Sequence, residues 1–417
     1  MAELFSLDLH RYVLPLRETL QIGSHRLPQR EGLVLVLRDR DGTQGVGEIA
    51  PLLGLHEESL DVIHTTLQRQ KPMLLALLEV VYELLDPRCW VPPSARKVIA
   101  PPLRAMTSFH HHLEPLHLPP SARFGLDMML WTYRAHLCLR AKQPTRPPKA
   151  HAATEKASRT ARVSHDLYTP IHPTLPLQVL LTGSLDALQK QAAEALQTGV
   201  RHLKIKVGRA ELAEDIKRVR ALHDLLGKQA TLRIDPNRAW TLDQARRFLD
   251  ALRGCPIEYL EEPLQNPLLL PQLVQETGVS VALDESLSQL HPKSDDPRLA
   301  CAKTLVLKPS VLGGVLPTDD WLLWSQMNQR TAVFSSTFES GLGLSFLALW
   351  AASVLPHRAA GLDTRRALAA DLLPPWSQGG HLDLVSIANH LASFDLNSYS
   401  NHLVPTEPNA PLSAFCE

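Results

Sequence analysis

Five short apolar runs, each ending in a charged residue and recurring at one regular interval, constrain this chain more than any other feature. They are His202–Leu203–Lys204–Ile205–Lys206, Leu232–Arg233–Ile234–Asp235, Ile257–Glu258–Tyr259–Leu260–Glu261, Val279–Ser280–Val281–Ala282–Leu283–Asp284 and Thr304–Leu305–Val306–Leu307–Lys308. From Lys206 the terminal charges stand 29, 26, 23 and 24 residues apart, the length of one strand, a loop and a returning helix. In the first run Lys204 and Lys206 alternate with apolar residues, so at period two they share one face of a strand, about 7 Å apart. Standing alone, that run would read equally well as an edge strand with a charged outer face. In series, the terminal order Lys, Asp, Glu, Asp, Lys describes a divalent-metal site between two proton-carrying amines.

The same register extends in both directions. Strands are predicted at about 178–182, 202–207, 231–235, 257–261, 279–284, 304–308, 331–335 and 358–362. Helices are predicted over Ser184–Gln197, Leu212–Leu226, Leu242–Arg253 and Gly341–Val354. Thr241 caps one of them, and Gly199, Gly227 and Gly254 follow helix ends. Eight strands alternating with helices predict an α/β fold, a (β/α)8 barrel of the TIM type, with an open doubly wound sheet as the alternative. In the barrel all strand carboxyl ends converge on one mouth, which would gather Lys204, Lys206, Asp235, Glu261, Asp284 and Lys308.

Ahead of the barrel the chain reads differently. Residues 4–52 predict a small antiparallel sheet, with strands near Leu4–Leu14, Gly32–Arg38 and Gln44–Ile49 and a polar loop over Gln21–Gln29. Asp39–Arg40–Asp41–Gly42 supplies a turn. Helices are predicted over Glu57–Gln70, Met73–Leu85 and Pro120–Ala141. His110–His111–His112 is read as an exposed loop, since three adjacent histidines cannot face one metal ion. Lys142–Thr174, rich in proline and basic residues and without apolar periodicity, is read as a solvated excursion.

Composition excludes several classes of function. Lysine plus arginine equals aspartate plus glutamate, 43 each, so no excess charge calls for nucleic acid or an anionic membrane as partner. The basic excursion lacks the interleaved aromatics of a nucleic-acid site. Five cysteines, far apart and without a CxxC pair, exclude a disulfide framework or thiolate zinc site and fit a reducing cytoplasm. The amino terminus has no secretory signal pattern, and Met73–Leu85 is too short and too charged to span a bilayer. A cytoplasmic protein is expected.

Asp235, Glu261 and Asp284 are hard oxygen ligands suited to Mg²⁺, with Mn²⁺ as an alternative. Such a centre holds a substrate carboxylate and takes up negative charge when the neighbouring carbon loses its proton. A lysine serves as the base only if partly neutral near pH 7, and Lys204 beside Lys206 supplies a cation that lowers its pKa. Lys308 taken singly would read as a structural ion pair with Asp284 or Glu261.

Lys204–Ile205–Lys206, Asp235–Pro236–Asn237, Leu260–Glu261–Glu262–Pro263, Leu283–Asp284–Glu285–Ser286 and Leu307–Lys308–Pro309 resemble the enolase superfamily, in its muconate-lactonizing subgroup. Within it the chain resembles the o-succinylbenzoate synthase family of menaquinone biosynthesis. That finer resemblance lies in Arg30–Glu31–Gly32, Gly47–Glu48–Ile49–Ala50–Pro51–Leu52, Arg233–Ile234–Asp235–Pro236–Asn237–Arg238–Ala239–Trp240, Ser335–Ser336–Thr337–Phe338–Glu339–Ser340–Gly341 and Gly361–Leu362–Asp363–Thr364. It implies a capping domain over 1–141 and an insertion over 142–175. A modified barrel over 176–364 follows, with residues from about 365 to 417 packing back on the cap. It also implies Mg²⁺-dependent syn dehydration of 2-succinyl-6-hydroxy-2,4-cyclohexadiene-1-carboxylate. Lys206 would be base and then acid, Lys308 a stabilising cation on the opposite face, and Lys204 an electrostatic aid. Arg233, Ser335, Ser336 and Gly361 would bind the substrate, a small carboxylate, in a monomer.

Two departures from the family pattern stand out. The chain carries surplus length in 70–118 and 142–174, and Pro236 replaces the small residue expected after the metal aspartate. The same six residues also permit an N-acylamino acid racemase or dipeptide epimerase, with Lys206 and Lys308 as opposed bases. Gly361–Leu362–Asp363–Thr364 lacks the paired DxD of a dipeptide epimerase. A barrel that binds Mg²⁺ and a carboxylate without chemistry would need neither a depressed lysine nor a second one opposite.

Overall fold

Alternating apolar residues start the chain as a strand, and in the computed structural model, which describes residues 4–85, 101–142, 167–168, 170–376 and 379–404, that strand is long. β1 (Phe5–Ile22) pairs antiparallel with β2 (His25–Asp39), and β2 pairs with β3 (Gln44–Ile49). Buried positions in β1 change from Phe5, Leu7 and Leu9 to Tyr12, Leu14 and Leu16. One half of the strand therefore buries one face and the other half the opposite face. Phe5 packs edge-on against Tyr82 and Tyr133 of the cap's helices, whereas Tyr12 turns toward the barrel. The predicted loop at Gln21–Gln29 is instead the far end of this hairpin, turning at Gly23, because Leu20, Gln21 and Ile22 continue to pair with Leu27, Arg26 and His25.

The cap's first helix corrects a second expectation. The two predicted helices are one, α1 (Leu60–Leu85), with Pro72 inside it. Ile63, Leu67, Leu74, Leu78, Val81 and Leu85 form one continuous buried stripe, and burying that stripe outweighs the missing proline N–H. His110–His112, expected in a loop, ends α2 (Pro101–Leu113). α3 (Pro120–Lys142) lies close on β3. A Cβ on Gly47 would stand 2.0 Å from the carbonyl oxygen of Gly125. At the same contact the Thr132 hydroxyl accepts from Val46 N and donates to Val46 O, each at 2.7 Å.

After the short β4 (Thr174–Pro176), the parallel strands follow in order: β5 (Gln178–Leu181), β6 (His202–Lys206), β7 (Thr231–Asp235), β8 (Tyr259–Glu261), β9 (Val281–Leu283), β10 (Thr304–Leu307) and β11 (Thr331–Phe334). They form one seven-stranded sheet in sequence order. The eighth predicted strand, 358–362, is reduced to two parallel bridges, Leu177 to Ala360 and Ser335 to Gly361. Gln178 N donates to Ala360 O at 2.9 Å and Gly361 N to Phe334 O at 2.8 Å, so this segment joins the sheet's two edges and closes the barrel.

The predicted helices α4 (Leu185–Gln197), α5 (Leu212–Leu226), α6 (Leu242–Ala251) and α11 (Gly341–Val354) form, and Thr241 makes a capping box with Gln244. α7 (Leu270–Thr277), α8 (Pro297–Cys301), α9 (Pro309–Leu312) and α10 (Val315–Met327) complete the crossovers. β12 (His381–Asp383) pairs with β4, and α12 (Leu384–Ala392) follows it. The chain then returns to the cap: Gln44 donates to Phe394 O at 2.9 Å, and Tyr12 bridges to Leu403. Of the predicted 142–175 excursion, residues 143–166 and 169 lie outside the described residues. Among the described residues no helix is long and apolar enough to cross a membrane.

Candidate active site

Parallel strands carry their carboxyl ends to one mouth, and alternation decides which side chains enter it. Register sets Lys204 beside Arg233 and Lys206 beside Asp235, with Arg233 beside Tyr259 on the next strand. Tyr259, Ala282 and Val306 form a small buried cluster of their own, apart from the main core. Above it stand the charged ends of the five runs.

The structure brings these charges together in an order that spacing alone could not set. Lys204 Nζ lies 2.7 Å from both Glu261 oxygens and 2.8 Å from Asp235 Oδ2. Lys308 Nζ donates to Asp284 Oδ2, one of the two carboxylates that Lys308 taken singly would pair with. Among the described residues the Lys206 ammonium has no hydrogen-bond or ion-pair partner. One lysine is therefore neutralised twice, one once, and the third not at all.

Their acidities follow. Burial depresses Lys206; Asp235 opposes this, and the cations Lys204 and Lys308 reinforce it. Burial is thus the main cause, with the neighbouring cation second to it. Burial also works against the Lys204 ammonium, but Asp235 and Glu261 outweigh it and raise the group. Asp284 does the same for Lys308. Glu261 is pushed up to about 8 by burial and by the nearby Asp235 carboxylate.

A second ring of side chains, not read from the sequence, fixes the carboxylates. Glu262, fully buried, accepts from Asp284 N at 3.0 Å, Ser286 N at 2.8 Å and Ser286 Oγ at 3.1 Å, and pairs with Arg238 at 3.0 Å. Asn237 N donates to Asp235 Oδ1 at 3.0 Å, while its amide donates to Glu285 at 3.2 Å. Each member directly follows, or lies within three residues of, a site carboxylate, inside the stretches that carry the family resemblance.

The expected substrate-binding residues divide. Arg233 lies beneath the lysines with its guanidinium engaged: Glu258 at 3.0 and 2.8 Å, Gln178 at 2.6 Å and Ala359 O at 3.1 Å. In that position these donors brace the barrel floor. Ser335, Ser336 and Gly361 lie together on the closing segment. A Cβ on Gly361 would meet Ser335 Oγ at 3.1 Å and Gln178 Nε2 at 3.3 Å. The Ser336 hydroxyl lies 2.7 Å from that of Thr364. A cavity of about 650 Å³ opens elsewhere, between α4 and the segment after Gly361, and contains none of the lysines.

Among the described residues no three histidine, cysteine, aspartate or glutamate side chains are arranged to hold a metal ion. The two ammonium groups occupy the carboxylates. The donor chemistry nevertheless fits a hard divalent cation. Asp235, Glu261 and Asp284 are buried, and each is held against a positive charge, the condition a cation would meet in turn.

Residues 187–375 match the enolase C-terminal domain-like family, and residues 5–81 match the MenC N-terminal domain. The chain is 30% identical over 374 residues to an o-succinylbenzoate synthase of Vibrio cholerae serotype O1, covering 88% of this chain and 92% of that one. It is 28% identical over 380 residues to an o-succinylbenzoate synthase of Pasteurella multocida, covering 88% and 91%. Its fold is similar to that of a muconate lactonizing enzyme from Pseudomonas fluorescens complexed with muconolactone, with a TM-score of 0.72, 21% identity, and coverage of 97% and 100%.

Proposed function

This chain belongs to the o-succinylbenzoate synthase family of the enolase superfamily, and from that membership we propose how its residues divide the work. The function is that of a lyase of menaquinone biosynthesis, which dehydrates 2-succinyl-6-hydroxy-2,4-cyclohexadiene-1-carboxylate to 2-succinylbenzoate. Lys206 removes the proton alpha to the ring carboxylate, giving an enediolate. The same ammonium then protonates the departing hydroxyl on the same face, so water leaves by syn elimination and the ring becomes aromatic.

The observation that carries this reading is the contrast among the three lysines. Lys206, partly buried and with an unpaired ammonium among the described residues, is the one held toward its neutral form, as a base requires. Lys308, paired and charged, stands as the cation opposite. Lys204, locked between two carboxylates, stays charged and supports the depressed neighbour. Ser335, Ser336 and Gly361 cradle the substrate, and Arg233 braces the floor beneath it.

Family membership implies a divalent-metal-dependent reaction, and we assign Mg²⁺ to Asp235, Glu261 and Asp284. When bound, the cation supplies a positive charge that draws substrate carboxylate oxygens and offsets the negative charge of proton removal. We further assign residues 1–141 to the cap, 176–364 to the barrel, and the residues from about 365 onward to packing back on the cap. The partner is a small carboxylate, and the working unit a cytoplasmic monomer.

The test is turnover of the cyclohexadiene carboxylate with added Mg²⁺, followed as loss of diene absorbance, beside Lys206→Ala. Metal-dependent aromatisation that disappears in the variant establishes reaction and base together. No turnover by the metal-loaded wild type overturns the assignment.

A further inference from the structure

Every described phenylalanine from Phe5 to Phe394 is buried in the core except Phe338, which is only partly covered. Phe338 also has a backbone φ of 60°, the left-handed region that a bulky side chain rarely enters. It lies two residues beyond Ser336, on the loop leading from β11 at the barrel mouth into α11.

That loop is gripped from the cap. Arg30, buried on β2, donates from Nε to Phe338 O at 3.0 Å, from Nη2 to both Thr337 O at 3.4 Å and Ala50 O at 2.8 Å, and from Nη1 to Pro51 O at 3.1 Å. Glu48 on β3 accepts from Ser340 N at 2.8 Å, Ser340 Oγ at 2.8 Å and Gly343 N at 2.6 Å. It is anchored in turn by the Tyr12 hydroxyl. From within the barrel, Glu339 accepts from Thr337 N at 2.6 Å and from Ser310 Oγ at 3.1 Å, two residues past Lys308. Packing requirements do not account for the conformation, since the ring is outside the core. Backbone held against its own preference from several sides is the pattern by which folds aim a side chain at a ligand.

We propose that Phe338 is a specificity-determining residue, its ring forming an apolar wall against the substrate's carbocycle, and that Arg30 and Glu48 are positioning residues that hold it there from the cap. The inference rests on the dehydration reading above. It gives the cap a defined part in the reaction: docking the cap holds the Phe338 loop in place beside Ser336.

Arg30→Ala would strand buried carbonyls and threaten folding, so the decisive changes are at Phe338, with wild-type turnover measured first. Phe338→Ala is expected to raise KM about tenfold while changing kcat much less, the scale of an apolar pocket contact. Phe338→Leu is expected to recover most of that loss. Phe338→Gly removes both ring and backbone conflict, so it should show the same KM loss with a melting temperature at or above wild type. A purely structural residue would not separate activity from stability in that direction. Wild-type turnover with an unchanged KM in Phe338→Gly, or no recovery in Phe338→Leu, overturns the inference alone. Absence of wild-type turnover overturns the dehydration reading and this inference with it.

Discussion

The Lys204 ammonium stands 2.7 Å from each carboxylate oxygen of Glu261, 57 residues further along the chain. Two residues beyond Lys204 on the same strand, Lys206 has no such partner among the described residues. In the proposed mechanism this pair makes Lys204 the electrostatic support and leaves Lys206 to carry the proton. A neutral amine is required for proton removal, so kcat/KM is expected to rise with pH and level off below 10.5, the ordinary lysine value. A pH–rate profile checks this. Lys206→Arg, which stays protonated throughout, is expected to lower kcat by about 10³-fold or more at every pH.

Glu262 holds the backbone at Asp284 and Ser286 from a fully buried position. Glu262→Gln keeps the acceptor oxygen but loses the charge that faces Arg238. A stability loss of about 1–3 kcal/mol is expected by urea unfolding. A parallel weakening of Mg²⁺ binding by roughly 10–100-fold is expected by titration calorimetry.

At the barrel floor, burial works against the Glu258 carboxylate, but hydrogen bonds from His202 and Arg233 outweigh it and hold the group well below the usual carboxylate range. A carboxyl with a depressed folded-state pKa contributes stability above its unfolded value, 4.5, and that contribution is lost as pH falls toward the folded value. Glu258→Gln is therefore expected to melt lower than wild type at pH 7. Its melting temperature should also fall less steeply between about pH 5 and pH 3.

Asp127 shows the opposite sign. Burial pushes it up to about 7, against the Val315 N–H that it accepts at 2.7 Å and with the help of nearby Asp319. Between its unfolded value of 3.8 and about 7 the folded state holds the additional proton, so stability falls as pH rises through that window. Asp127→Asn keeps the acceptor and removes the titration. It is expected to be more stable than wild type at pH 8, on the order of 1–3 kcal/mol, with a flatter stability profile between pH 4 and pH 8.

Pro72 interrupts the hydrogen-bond ladder of α1 from an exposed position. Pro72→Ala restores a donor and removes the ring's clash with the preceding turn. A gain of about 1–3 kcal/mol is expected, seen as a higher melting temperature with unchanged kcat and KM.

How much was legible in the sequence follows from what each feature depends on. Strand periodicity, the Thr241 cap and the glycines after α4 and α5 depend on neighbouring residues, so the barrel's strands and several of its helices could be read directly. The five terminal charges were legible for the same reason: strand length and crossover length are local quantities, and parallel pairing then obliges every strand to end at one mouth. Pro72 misled because local propensity marks a proline as a helix end, whereas the apolar stripe on both sides of it is buried as one surface. The eighth strand misled because its sequence pattern does not reveal that two bridges suffice to join the sheet's edges.

The sequence by itself determined that three carboxylates and three lysines meet, since their spacing and alternation leave a parallel barrel no other place for them. Which ammonium faces which carboxylate was decided only by the tertiary structure. So was the burial that depresses Lys206, and the cap's grip on the Phe338 loop, where Glu48 reaches a residue 292 positions away. Those relations depend on distances through space between segments remote along the chain, and on the water that packing removes from between them.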